Sequence, residues 1–145
     1  MFFILGMPRS RTFWLSQFLG CVHEGLWYYP NYEDFLKTKH IGDSTTCYPA
    51  IKDYIKDQKK VIIHRDPEEV QASIRKLFNV EIDLSIFDTL KDEQGLHVQY
   101  RDINDRLREI WEYTRTSPFP TKRAELMKDQ ILNNTYLIKE VQSCL

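Results

Sequence analysis

Met1 to Leu5 is an unbroken apolar run, Met-Phe-Phe-Ile-Leu, that stops at Gly6. It shows no polar alternation, so it predicts a strand buried on both faces, the setting of a parallel sheet. Apolar residues then recur at Trp14, Leu15, Phe18 and Leu19, which is the spacing of a helix face. Between the two lies Gly6-Met7-Pro8-Arg9-Ser10-Arg11-Thr12, a tight turn carrying two arginines and two hydroxyls. Strand, turn and helix N-terminus in that order form an anion site, because free N–H groups and the helix dipole face the turn. Arg9, Ser10, Arg11 and Thr12 are all residue types that hold phosphate. The alternative is a buried strand followed by a plain cap from Ser10 or Thr12. A cap needs one hydroxyl and no arginine.

Any such anion site has to be local. The net charge is −1, so no global basic field predicts nucleic acid as a partner. The 145 residues suit one domain, spanning 1–145, with one core. No apolar run approaches the roughly 18 residues of a membrane span. No charged segment precedes the first apolar run, so a signal peptide is not expected. Cys21, Cys47 and Cys144 form no C-x-x-C pair, which predicts neither a metal cluster nor a disulfide framework. A reduced, cytoplasmic setting is the expectation that follows.

A second informative stretch is Lys59-Lys60-Val61-Ile62-Ile63-His64-Arg65-Asp66-Pro67. Val61 to Ile63 is β-branched throughout and predicts a buried strand. Asp66-Pro67 then opens a helix, with Glu68 and Glu69 at the positive end of its dipole. Arg65 would stand at the strand exit and Ser73 on the following helix, where the two can hold one phosphate between them. The competing reading pairs Arg65 with Asp66 or Glu69 and leaves Ser73 incidental.

Further candidates follow from strand ends, since open parallel sheets bind ligands beyond the carboxyl ends of their strands. Cys21 to Gly25 predicts a short strand or extended segment ending at His23 and Glu24. A carboxylate there can act as general base; a solvated loop pair is the alternative. His40 to Gly42 predicts another short strand, with Asp43 and Ser44 in the loop at its end and a helix to about Gln58. Leu26 to Tyr32 is rich in aromatics and serves as either a pocket wall or a loop packed on the core. The chain from Asp83 predicts helix, and His97 to Thr116 is amphipathic, with Val98, Ile103, Leu107, Ile110 and Trp111 on its apolar face. Lys122 and Arg123 could approach a cofactor. Tyr136 to Val141 reads as a terminal strand or helix. The fold class is therefore α/β, a small parallel sheet of about four strands with helices on both faces.

The first loop is not a Walker A motif, G-x-x-x-x-G-K-[ST]: Arg11 holds the second Gly position and Thr12 the Lys position. Pro8-Arg9-Ser10-Arg11-Thr12-Phe13-Trp14 resembles instead the 5′-phosphosulfate loop of P-loop sulfotransferases, Pro-Lys/Arg-Ser-Gly-Thr-Thr-Trp. Arg11 replaces its Gly and Phe13 its second Thr. Val61 to Pro67 with Ser73 resembles the 3′-phosphate site of the same family. The resemblance covers residues 2–76, and the family's Gly-rich basic segment near the C-terminus has no counterpart here. It implies a P-loop NTPase-like three-layer sandwich that binds 3′-phosphoadenosine 5′-phosphosulfate (PAPS) without a metal. Arg9, Ser10 and Thr12, with Arg11 in reach, would hold the 5′-phosphosulfate. Trp14 would lie near the adenine, and Arg65 and Ser73 would hold the 3′-phosphate. The implied reaction passes a sulfuryl group to a hydroxyl or amine of a small-molecule or carbohydrate acceptor. Arg9 would stabilise the developing charge, and Glu24, or second His23, would take the proton. A small ATP-dependent P-loop phosphotransferase and a non-catalytic nucleotide-binding module are the alternatives.

Overall fold

β1 (Phe2–Gly6) is the central strand of a five-stranded, all-parallel sheet in the order β2-β3-β1-β4-β5. Its neighbours are β3 (Gly42–Thr45), paired Phe2 to Gly42 through Leu5 to Thr45, and β4 (Lys59–His64), paired Phe2 to Lys59 through Gly6 to Ile63. β2 (Val22–His23) and β5 (Leu96–Gln99) form the two edges. These coordinates are a computed structural model that describes residues 1–29 and 31–128. The segment expected at Tyr136 to Val141 lies outside the described residues.

Alternation along the strands divides the core into two layers. Phe2, Ile4, Val61, Ile63 and Val98 face one side, where they meet α1 (Thr12–Leu19), α5 (Leu107–Thr114) and α6 (Thr121–Lys128) through Leu15, Phe18, Leu107, Ile110 and Met127. Phe3, Leu5 and Ile62 face the other side, against α2 (Tyr32–Leu36), α3 (Tyr48–Ile51), α4 (Pro67–Phe78) and a 3₁₀ segment at Ser85–Asp92. The fold is thus α/β with helices on both faces of the sheet. Among the described residues, no helix is long and apolar enough to cross a membrane.

Three expectations need correction. The amphipathic stretch from His97 is not one helix: Leu96–Gln99 is β5, a 3₁₀ turn follows at Tyr100–Asp102, and α5 starts at Leu107. Leu96 and Val98 alternate with His97 and Gln99, and β5 pairs with β4 from Val61↔Leu96 onward, so pairing overrides the helical pattern. Gly95 permits that pairing, since a Cβ there would lie 2.3 Å from the Lys60 carbonyl oxygen. Second, Asp43 and Ser44 do not form a loop; they are fully buried inside β3. Third, the helix expected to reach Gln58 is short, with a 3₁₀ turn at Lys52–Tyr54 completing it.

Candidate anion-binding site

β1 ends at Gly6, and the chain turns through Met7 to Arg11 before α1 begins. Arg9 and Arg11 both adopt left-handed backbone conformations, at φ 65° and 62°. An L-residue pays roughly 1 kcal/mol for that conformation and glycine pays nothing. This is the physical reason a glycine suits the position Arg11 occupies. Leu15 N–H makes the first intrahelical bond, to the Arg11 carbonyl at 2.9 Å. The amides of Thr12, Phe13 and Trp14 at the first turn therefore have no intrahelical acceptor. Ser10 sits inside the turn, completely buried, and its Oγ has no hydrogen-bond partner. A buried, unpaired hydroxyl costs about 1–3 kcal/mol. Beside a helix N-terminus, it adds a hydroxyl donor to the free first-turn amides. Neither Ser10 nor Thr12 caps α1, because the cap position is Arg11 and no side chain bonds there.

Arg65 follows β4, the strand next to β1. Its Nη1 donates to the Arg9 carbonyl, so it fixes the loop from the side. Its guanidinium lies 4.1 Å from the centre of the Tyr100 ring and 3.6 Å from the Glu69 carboxylate, and its Nε carries no hydrogen bond. The helix-start ion pair is therefore present, and the loop contact exists beside it. Asp66 caps α4 through bonds from Glu68 N–H (2.7 Å) and Glu69 N–H (3.2 Å). That cap sets the helix so that Ser73, on its second turn, accepts from Arg9 Nε at 3.3 Å. Arg9, Arg65 and Ser73 thus meet, with Ser10 on the same loop and Thr12 at the first position of α1.

Arg11 and Trp14 stand elsewhere. Arg11 Nη1 donates to Asn104 Oδ1 at 2.9 Å, and its guanidinium covers the Trp14 ring at 4.0 Å. Trp14 is only 4% exposed, stacks on Phe18 at 5.8 Å and donates from Nε1 to the Met127 carbonyl. Core packing and the Arg11 guanidinium thus cover the indole that the resemblance places near an adenine. Arg123 does not turn to the loop either; it is buried and its Nη2 donates to the Gln17 carbonyl.

At the β2 edge, Glu24 is at φ 54° and accepts three hydrogen bonds. Thr45 Oγ1 donates to Oε2 at 2.8 Å, Thr46 N–H to Oε1 at 2.8 Å, and Cys47 Sγ to Oε2 at 3.2 Å. A carboxylate offers about four lone-pair sites, and three donors already occupy them here. The same carboxylate, after burial, helps push the Cys47 thiol up to about 11. His23 Nδ1 lies 2.8 Å from the Ser44 carbonyl and its ring meets Phe13 edge-on. Because a carbonyl only accepts, Nδ1 carries the proton and Nε2 is the open nitrogen in the neutral ring. Trp27 and Tyr28, three and four residues after Glu24, are 79% and 73% exposed, whereas Tyr32 is in the core.

The second-rank residues serve the scaffold. Ser44 Oγ donates to the Thr12 carbonyl at 2.7 Å, tying β3 to the first turn of α1. Asp43 points to the opposite face, where Gly25 N–H (3.1 Å to each oxygen) and Tyr32 Oη (3.0 Å) donate to it. Burial drives the Asp43 carboxyl up to about 6. The His64–His97 pair has no signature in the spacing of the chain. Its rings lie nearly coplanar and edge to edge, 12° apart with centroids at 4.9 Å, and His64 Nε2 is 2.7 Å from His97 Nδ1. The strand-end position of His64 was the available signal; its partner became visible only with β5. No family model, curated protein or solved structure matches this chain.

Proposed function

We propose that this chain is a sulfotransferase-like protein with a P-loop-type sandwich, binding PAPS at the carboxyl ends of β1 and β4. The observation that carries the reading is the joining of two anion-holding stretches 56 residues apart in sequence, through the bond from Arg65 to the Arg9 carbonyl. A ligand with phosphate groups at both ends of one nucleoside suits that pairing better than a single-ended one. The buried, unpartnered Ser10 Oγ fits an oxyanion ligand. Ser10, Thr12 and the first-turn amides would hold the 5′-phosphosulfate, and Arg65 and Ser73 the 3′-phosphate. Arg9 reaches from the loop to Ser73 and would balance charge on the leaving phosphate. When bound, the donor supplies an activated sulfuryl group for a hydroxyl or amine.

The proton has to leave the acceptor to a group near the same sheet edge. Glu24 is the sequence-derived choice, yet its three donors favour a structural carboxylate. An imidazole with an open nitrogen suits the task better. Titration calorimetry tests the donor. The expected result is tighter binding of 3′,5′-bisphosphoadenosine than of AMP or ATP, without magnesium. Equal or better binding of Mg-ATP would replace this reading with the phosphotransferase, and binding without any transfer would leave a nucleotide-binding module.

A further inference from the structure

Two neighbouring strand exits converge on Glu69. β4 and β5 pair in parallel as far as His64↔Gln99, so Arg65 and Tyr100 leave the sheet side by side. Tyr100 opens the 3₁₀ turn Tyr100–Asp102, and its ring centre lies 4.1 Å from the Arg65 guanidinium. Arg101, the next residue on that turn, donates from Nη2 to Glu69 Oε1. Glu69 belongs to the first turn of α4, which Asp66 caps, and its other oxygen, Oε2, lies 3.6 Å from Arg65 Nε. One carboxylate is thus shared by two arginines from different elements.

The two arginines are not equivalent. The Arg65 side chain is 15% exposed and that of Arg101 is 80% exposed. Water and salt screen an exposed ion pair more than a partly buried one, so the charge of Arg65 depends more on Glu69 than that of Arg101 does. Yet the contact with Arg65 is the looser one. A separation of 3.6 Å is too long for a hydrogen bond, and Arg65 Nε has none among the described residues. Arg101 makes the hydrogen bond and so holds Glu69 just short of Arg65. A phosphate arriving at Arg65 brings further negative charge against that carboxylate and competes with it directly. Asp66 stays out of this exchange, because Oδ1 is taken up by the cap bonds from Glu68 N–H and Glu69 N–H.

We propose that Glu69 sets the affinity of the anion site: it competes with a bound phosphate for Arg65, and Arg101 restrains that competition by holding the carboxylate aside. A nucleoside bisphosphate as the ligand rests on the sulfuryl-transfer reading; the competition needs only an oxyanion at Arg65. In a transferase the same carboxylate recovers Arg65 as the bisphosphate departs and so hastens release, since affinity differences among variants of one site lie mostly in the dissociation rate.

Titration calorimetry and stopped-flow displacement test this, with 3′,5′-bisphosphoadenosine and with inorganic pyrophosphate at neutral pH. Glu69→Gln removes a negative charge a few ångströms from the phosphate and should tighten bisphosphate binding about three- to tenfold, with slower dissociation. Arg101→Gln frees the carboxylate and should weaken binding. The double variant should match Glu69→Gln within about twofold, because Arg101 acts through the carboxylate. Unchanged or weaker binding in Glu69→Gln overturns the proposal. A loss in Arg101→Gln that persists in the double variant overturns the restraining role and makes Arg101 a direct phosphate ligand. Should Glu69→Gln fail to fold, Arg101→Gln decides, and unchanged affinity there overturns the proposal. If the protein binds pyrophosphate but not the bisphosphate, and Glu69→Gln tightens pyrophosphate, the donor reading fails and the competition stands. If neither anion binds to the parent or to Glu69→Gln, both fail.

Discussion

Arg65 donates from Nη1 to the carbonyl of Arg9, and Arg9 in turn donates from Nε to Ser73 Oγ at 3.3 Å. One arginine thus holds the backbone of the loop whose own arginine reaches the next helix. This relationship makes the two stretches separable by mutation. Arg65→Ala removes the loop tether and, on the proposed reading, a ligand of the 3′-phosphate. A hydrogen bond to a charged group contributes about 1.5–3 kcal/mol, or more than tenfold in affinity. The preference for 3′,5′-bisphosphoadenosine over AMP should fall at least tenfold by calorimetry. Ser73→Ala should lower that preference while leaving the urea midpoint nearly unchanged. If the preference survives in Arg65→Ala, the second motif does not bind the 3′-phosphate.

Arg11 combines a strained backbone with two side-chain contacts. At φ 62° it sits where glycine costs nothing, while its guanidinium bonds Asn104 and covers Trp14. Arg11→Ala loses the contacts and keeps the strain. Arg11→Gly loses the contacts and relieves it. Urea denaturation should therefore rank the parent above Arg11→Gly, and Arg11→Gly above Arg11→Ala by about 1 kcal/mol. Bisphosphate affinity should change by less than threefold in both variants. A larger loss would put the guanidinium in the donor site.

Asp43 makes stability depend on pH in a direction opposite to most carboxylates. Its folded pKa is raised to about 6, chiefly by burial, from an ordinary value of 3.8. The folded protein thus binds the proton more tightly than the unfolded chain. The contribution is fully present below about pH 4 and is lost as pH rises through 6. The span corresponds to about 3 kcal/mol by linkage. Asp43→Asn keeps an acceptor for Gly25 N–H and should not titrate. The stability of the parent relative to Asp43→Asn, from urea curves at pH 4.5 to 7.5, should decline with rising pH. A flat difference would show that Asp43 is not held near neutral pKa.

Glu24→Gln exchanges a carboxylate that accepts from Thr45, Thr46 and Cys47 for an amide that presents N–H to at least one of those donors. The expected cost is about 1–3 kcal/mol in urea denaturation. Transfer per folded molecule should fall less than tenfold. A loss beyond 100-fold with intact bisphosphate binding would return Glu24 to the role of base.

The buried run at Phe2–Gly6, the β-branched strand at Val61 to Ile63 and the capped start of α4 at Asp66-Pro67 were all legible in the chain. Each depends on its own residues: apolar continuity, β-branching, a side-chain cap. Asp43-Ser44-Thr45 misled because polar residues suggest a loop. They form a buried strand only because Gly25, Tyr32 and the Thr12 carbonyl supply partners from distant segments. The same holds for β5, whose four residues gain their conformation from the edge of β4.

The sequence by itself determined the loop chemistry: arginines and hydroxyls between a buried strand and a helix. Only the tertiary structure decided which of those side chains face one another. Parallel pairing of β1 with β4 brings Arg9, Arg65 and Ser73 together, and packing of α1 on the loop beyond β5 commits Arg11 and Trp14 to Asn104 and the core. Local residues set the conformation of a turn. The partner of a guanidinium is set by whichever strand or helix the fold lays beside it, and no spacing along the chain encodes that directly.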